Sequence, residues 1–408
     1  MTARKIDRCR VCDSAYLESV IDLGRQRLSE FRVDDSAPPA YPLELVRCVA
    51  CGLAQLGHTV SRTELFHDTY SFKSGVSDGV RRDLHDVVAW TLARRDEHPA
   101  AWLDIASNDG TLLSYVPPDV ARFGVDPLGQ YAEEAREHAT EIHVGYFDSR
   151  RFAPRAFDVV TSISMFYDVD DIREFVGGVE RVLAADGAWV IQQNYLPSML
   201  ASTSVDNVSH EHLTYHSLGT LAQVLYDFGL VVSDISFSAV NGGCMRTLVT
   251  RGRRADPSVA RTFQSENVAG IREAETHRRF AGRARSRLAE LRSLVDRLVA
   301  EDKSIFVYGA STRGSVLWQA AGLDVRQLPK VVDRNPDKVG RWMSAIGAPI
   351  ISEEEMRADP PDYLLVGPWW FEADFVRRER DFLDAGGRMI VPLPEVHVVA
   401  SEVAEGAR

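Results

Sequence analysis

Three histidines, a glutamate and a tyrosine fall within the seven residues His210-Glu211-His212-Leu213-Thr214-Tyr215-His216. Histidine titrates near neutral pH and a neighbouring carboxylate can orient it, so this density points to acid–base chemistry. A zinc-peptidase helix is the first rival, but His210-Glu211-His212 lacks the spacing of H-E-x-x-H. His212 and His216 have that spacing without a glutamate directly after the first histidine. At least one of the three histidines is expected to be a buried, hydrogen-bonded core residue. Further on, Asn241-Gly242-Gly243-Cys244-Met245-Arg246 sets two glycines before an arginine. That pattern allows close backbone approach and offers a cation suited to phosphate.

Cys9-Arg-Val-Cys12 and Cys48-Val-Ala-Cys51 are two C-x-x-C knuckles. Two such pairs suit tetrahedral zinc, each supplying two corners while the chain between them loops out. An all-thiolate set argues for a closed, structural site, with an iron–sulfur cluster as the weaker rival.

A third pattern is Trp102-Leu-Asp104-Ile-Ala106-Ser-Asn108-Asp-Gly110-Thr-Leu, where a strand is expected to turn into a helix. In nucleotide-binding α/β domains that turn carries small residues so that backbone approaches the ligand. Ala106 and Asn108 stand where glycine is common, and Gly110 is retained. Asp104 ends the first strand. Asp126 ends the next, where a carboxylate can accept both hydroxyls of a ribose. Asp148, after the third strand position, is a candidate cap for an adenine amine. No G-x-x-x-x-G-K loop occurs, which weakens a kinase reading. Near the C-terminus, Tyr308-Gly-Ala-Ser311-Thr-Arg313-Gly314 is a second strand–turn–helix with an added cation, again suited to an anion. Trp369, Trp370 and Phe371 near the end of an expected strand are candidates to stack a base, with core packing as the equal alternative.

Alternating elements must position these groups. Trp102–Ile105, Arg122–Val125, Phe157–Ile163 and Ala188–Gln192 read as strands, separated by helical stretches such as Tyr131–His138 and Asp171–Ala184. Ile305–Tyr308, Lys330–Val332, Tyr363–Val366 and Arg388–Val391 form a second such set. Between them, Ser265 to Ala300 reads as one long charged helix with Leu288, Leu291, Leu294, Val295 and Leu298 on one face. The expected class is α/β in four parts: a zinc-binding module (1–75), a Rossmann-like domain (76–264), a linking helix (265–302) and a second Rossmann-like domain (303–408). The net charge of -12 disfavours nucleic acid as partner. No apolar run approaches the roughly 20 residues of a membrane span, and the first residues lack the apolar core of a signal peptide, so a cytoplasmic monomer or homodimer is expected.

Taken together, these motifs resemble the NDP-hexose C-methyltransferases of deoxysugar pathways in antibiotic biosynthesis. The carriers are Cys9-x-x-Cys12 with Ile21-Asp-Leu-Gly24, Cys48-x-x-Cys51-Gly-Leu-Ala-Gln-Leu56, Ile105-Ala-Ser-Asn-Asp-Gly110, His210-Glu-His212-Leu-x-Tyr-x-Ser-Leu218, Gly242-Gly-x-x-Arg246 and Val332-Asp-Arg-Asn-Pro-x-Lys-x-Gly-Arg341. The resemblance implies a structural zinc, S-adenosylmethionine in the central domain, and a thymidine diphosphate sugar between the central and C-terminal domains. It makes His212 the general base with Glu211 beside it. For the enolate that such a base would form, Tyr215, Ser209 and Tyr70 are candidate donors to the oxygen. It makes His210, Asn241, Gly242, Arg246, Tyr308, Ser311, Arg313, Asp333, Arg334, Lys338 and Arg341 candidates to hold the sugar nucleotide. Ser209 stands where the family carries tyrosine, and Met165-Phe-Tyr167-Asp168 stands where it carries a histidine after the fourth strand. An O- or N-methyltransferase, or a nicotinamide-dependent keto-sugar reductase, is the competing expectation.

Overall fold

The computed structural model describes residues 3–66, 70 and 72–401. Its central sheet has seven strands in the order Val231–Ser238, Cys244–Thr250, Leu183–Asn194, Phe157–Ile163, Ala101–Ile105, Ala121–Asp126, Glu141–Val144. Neighbours run parallel except where Cys244–Thr250 pairs antiparallel on both its sides. The chain order reverses between Ala101–Ile105 and Phe157–Ile163. Open α/β sheets bind ligands beyond the carboxyl ends of the strands at such a switch point.

The local sequence explains these elements. Trp102 and Trp189 are fully buried, and each indole N–H finds a hydroxyl, on Thr161 and Ser162, both at 3.1 Å. A buried indole without such a partner would cost the sheet a hydrogen bond. Helix Ile172–Val182 starts at Asp171, whose carboxylate accepts the Glu174 N–H, and buries Ile172, Val176, Val179 and Val182 at helical spacing.

The single helix expected from Ser265 to Ala300 is two. Pro257–Val268 ends before Gly270, whose φ of 58° is left-handed, and Ala274–Ala300 then runs on alone. The second helix buries Phe280, Ala284, Leu288, Leu291, Val295 and Leu298. They enter one hydrophobic core with Leu43 and Leu45 before it and Leu317 and Leu365 after it.

Two strand exchanges tie the parts together. Thr214–Tyr215, from the central region, pairs with Ala54–Leu56 of the zinc module, Thr214 opposite Gln55 and Tyr215 opposite Ala54. Phe31–Arg32, from the zinc module, pairs with Trp342–Met343 and forms the outer strand of an eight-stranded C-terminal sheet. Among the described residues, no helix is long and apolar enough to cross a membrane.

Candidate active site and metal centre

The four cysteine sulfurs converge. Cys9 and Cys51 lie 3.6 Å apart, Cys12 and Cys48 3.5 Å, and all four sulfurs fall within 4.8 Å of one another. Zinc with Zn–S bonds of about 2.3 Å sets tetrahedral sulfurs about 3.8 Å apart, so the set fits that ion. Gly52, at φ 81°, closes the second knuckle with its N–H on the Cys48 carbonyl. Burial pushes the Cys12 thiol up to about 11. A bound dication would supply the charge that holds such sulfurs as thiolates.

The cofactor cleft opens at the switch point, beyond Ala101–Ile105. Ala106, Asn108 and Gly110 all adopt positive φ (63°, 49° and 78°). A Cβ on Gly110 would stand 2.8 Å from the Ala135 backbone, so the turn is closed by glycine. Asp126 organises the loop by accepting the Asn108 N–H at 2.8 Å and the Leu128 N–H at 2.7 Å. Ala106, Asn108 and Asp126 line the cleft together with Arg62, Tyr70 and Asp168.

Asn108 also bonds the chain that crosses the cleft. Its amide donates to the Phe72 carbonyl at 3.1 Å, and its oxygen accepts the Ser74 N–H at 2.9 Å. Gln130 donates to the Tyr70 carbonyl at 2.6 Å. Tyr70, Phe72 and Ser74 are thereby held at the cofactor cleft, a role for Asn108 that its motif position did not signal.

Asp104 and Asp148 are not brought to this cleft. Asp104 lies beneath it, bonded to Thr161 at 2.6 Å, and burial pushes its carboxyl up to about 7. Asp148 caps the turn Ser149–Arg151, and Arg150 pairs with it and holds it down at about 2.

His212 has a defined tautomer. Its Nδ1 lies 3.0 Å from the Asn207 carbonyl. A carbonyl only accepts, so Nδ1 carries the hydrogen and Nε2 keeps the lone pair. Burial holds the imidazole down at about 4, neutral through the physiological range. The ring packs on Tyr167 at 4.3 Å between centroids. Glu211 makes no hydrogen bond to His212, so the orienting acceptor is the Asn207 carbonyl rather than that carboxylate. The same carbonyl accepts the Tyr215 hydroxyl at 3.1 Å, which therefore faces this carbonyl rather than a substrate oxygen. Ser209 keeps a buried hydroxyl without a partner. His210, a candidate from the resemblance to hold the sugar nucleotide, is instead a buried histidine, its Nε2 3.3 Å from the Tyr41 carbonyl. His216 is a second, between the Thr214 and Thr220 hydroxyls.

A larger cleft of about 520 Å³ lies between helix Asp78–Leu92 and the C-terminal sheet, within the usual size of a ligand site. Asn241, Tyr308, Ser311, Asp333, Arg334 and Lys338 line it. Lys73, Arg82, Arg377 and Arg378, which no motif singled out, add cations to its walls. Tyr308 is held by Glu353 and Glu379 at 2.8 and 2.6 Å, and Lys338 reaches the Ala310 carbonyl at 2.7 Å.

The remaining expected ligands are engaged elsewhere. Arg246 is buried and clamps Gln192, Asp83 and Asp86. Arg341 reaches the Phe31 carbonyl at the edge of the C-terminal sheet. Gly242 makes room for Trp369 and the Arg313 guanidinium. Arg313 pairs with Asp206 at 2.7 Å, stacks on Trp370 at 4.2 Å and donates to the Asn241 carbonyl. This buried pair joins the central and C-terminal regions. Arg313→Ala is expected to lower unfolding stability by about 3–5 kcal/mol, because it leaves Asp206 buried and uncompensated. Chemical denaturation checks this, and adding Asp206→Ala should restore part of the loss.

The sheet order, the turn with three left-handed residues and the carboxylate at Asp126 together define a class, the S-adenosylmethionine-dependent methyltransferases. Three family descriptions match the chain in order: zinc binding domain (residues 9–66), methyltransferase domain (78–235) and C-methyltransferase C-terminal domain (239–394). The chain is 30% identical over 416 residues to the C-methyltransferase NovU of Streptomyces niveus, covering 98% of each. It belongs to this C-methyltransferase family. Among solved structures, it is similar to an S-adenosylmethionine-dependent methyltransferase of Clostridium acetobutylicum (14% identity, TM-score 0.36, 44% of this chain and 94% of that one). It is also similar to the magnesium protoporphyrin IX methyltransferase of Synechocystis (12%, 0.35, 43% and 84%).

Proposed function

We propose that this C-methyltransferase methylates the ring carbon beside the ketone of a nucleoside-diphosphate 4-keto-6-deoxysugar, at C-3. The observation that carries the reading is the tautomer of His212: a neutral imidazole with a basic Nε2, held by a main-chain carbonyl. Carbon attacks an electrophile only after a neighbouring carbonyl has made its proton acidic and a base has removed it. S-adenosylmethionine, when bound, supplies an electrophilic methyl group on a sulfonium.

The chain's own groups do the rest. His212 Nε2 takes the proton from the sugar carbon, and the electrons move onto the ketone oxygen as an enolate. The Ser209 hydroxyl, buried without a partner, and the Tyr70 phenol, whose burial beside Glu211 and Asp168 keeps it protonated, are the available donors to that oxygen. Asn108 and Gln130 hold Tyr70 and Phe72 at the cofactor cleft. The cations and aromatic rings of the larger cleft suit a diphosphate and its base.

Incubation with methyl-labelled S-adenosylmethionine and a dTDP-4-keto-6-deoxyhexose, with its 3-deoxy form in parallel, tests the reading by NMR. Label on a ring carbon next to the ketone is the expected product. Label on oxygen or nitrogen overturns it.

A further inference from the structure

Asp168 and Glu211 are carboxyl groups close enough to repel one another electrostatically, and no cation pairs with either among the described residues. Asp168 ends the turn Phe166–Asp168, just beyond the strand Phe157–Ile163, and lines the cofactor cleft. Its Oδ1 is buried and bonds to nothing. Two residues on, Asp170 takes both nearby arginines, Arg4 and Arg10. The groups that act on or feel Asp168 are the carboxyl of Glu211 and the phenols of Tyr70, Tyr167 and Tyr215. The neutral His212 ring packs on Tyr167. No Lys or Arg among the described residues pairs with either carboxyl. A carboxyl with a buried, unpartnered oxygen in such a place holds a proton or receives a cation.

We propose that Asp168, backed by Glu211, is the counter-charge for the sulfonium of bound S-adenosylmethionine, so that the cofactor cleft reads the positive charge distinguishing the methyl donor from its spent thioether. The proposal rests on the cofactor and on the role proposed for His212, not on the identity of the sugar, so a different acceptor leaves it intact. Asp168 lines the cofactor cleft and directly follows Tyr167, the ring on which His212 packs. The sulfonium must lie towards that ring for its methyl to meet the carbon that His212 deprotonates.

The pair's protons follow from the same contacts. Burial raises both carboxyls, Glu211 to about 7, and Glu211 raises Asp168 further. At low pH the pair is protonated and cannot attract a cation. As pH rises it ionises more readily with a cation present, so donor binding releases protons. S-adenosylhomocysteine has a neutral sulfur, and its binding lacks this linkage.

The test is calorimetric titration of the zinc-loaded full chain with S-adenosylmethionine and S-adenosylhomocysteine. For the wild type, the ratio of donor to product affinity is expected to rise between about pH 5.5 and 7.5. A flat ratio overturns the proposal whatever the variants do. Asp168→Asn is expected to weaken the donor about tenfold or more and the product less than about twofold, as loss of one charge pair in a screened site does. Equal loss for both ligands, or no loss for either, overturns it.

Discussion

Methyl transfer by His212→Asn is expected to fall by about 10²–10⁴-fold, the usual contribution of a positioned base, with affinity for S-adenosylmethionine unchanged. Asparagine can still donate an amide N–H to the Asn207 carbonyl, so the site should keep its shape. It has no nitrogen lone pair to take a proton. Two readouts separate this from a general loss of function: calorimetry with the cofactor, and exchange of the sugar's acidic C–H in heavy water without any methyl donor. The wild type should exchange that hydrogen and the variant should not. Wild-type turnover by the variant would sink the assignment.

The pH profile carries the same argument. Burial lowers the His212 pKa to about 4, so the base stays neutral as pH falls past the usual histidine range near 6.5. The acid limb governed by the base should therefore lie near 4. For stability the sign is fixed too. The unfolded chain binds the extra proton between 6.5 and 4, so this residue's contribution to stability declines as pH falls through that window.

Loss of the metal is the second large effect. Removing zinc with a chelator, or replacing Cys48 with serine, is expected to lower the melting temperature by about 10 °C or more, because structural zinc contributes directly to folding. Cofactor affinity should fall with it. The zinc module supplies Ala54–Leu56, on which Thr214–Tyr215 pairs just beyond His212, and the Leu56 N–H binds the Leu213 carbonyl at 2.9 Å. It also supplies Arg62 and leads into Tyr70, both lining the cofactor cleft. Metal analysis should find one zinc per chain. A metal-free chain with unchanged melting and cofactor binding would refute the structural role.

Much of the fold was legible because it is written locally. Short apolar runs located Phe157–Ile163, Ile305–Tyr308, Tyr363–Val366 and Arg388–Val391 at their observed bounds, since such runs and the turn residues that bound them act over a few positions. The break at Gly270 escaped because helical periodicity resumes on both sides of it, and one left-handed residue hardly disturbs an average. The two-residue strands Phe31–Arg32 and Thr214–Tyr215 escaped for another reason. A strand that short has no period of its own and exists only through its partner.

By itself the sequence determined the cysteine set, the nucleotide-binding turn with Asp126, and the dense histidine segment, because each depends on spacing within one stretch of chain. Tertiary structure decided which of the charged candidates remain free. Arg246, Arg313 and Asp148 have ligand-like side chains, yet Asp83, Asp206 and Arg150 neutralise them. Only the folded chain reveals those partners, since two of the three lie more than a hundred residues away. It also decided the base. The group that orients His212 is a main-chain carbonyl, which every residue possesses, so no side-chain pattern could have marked it.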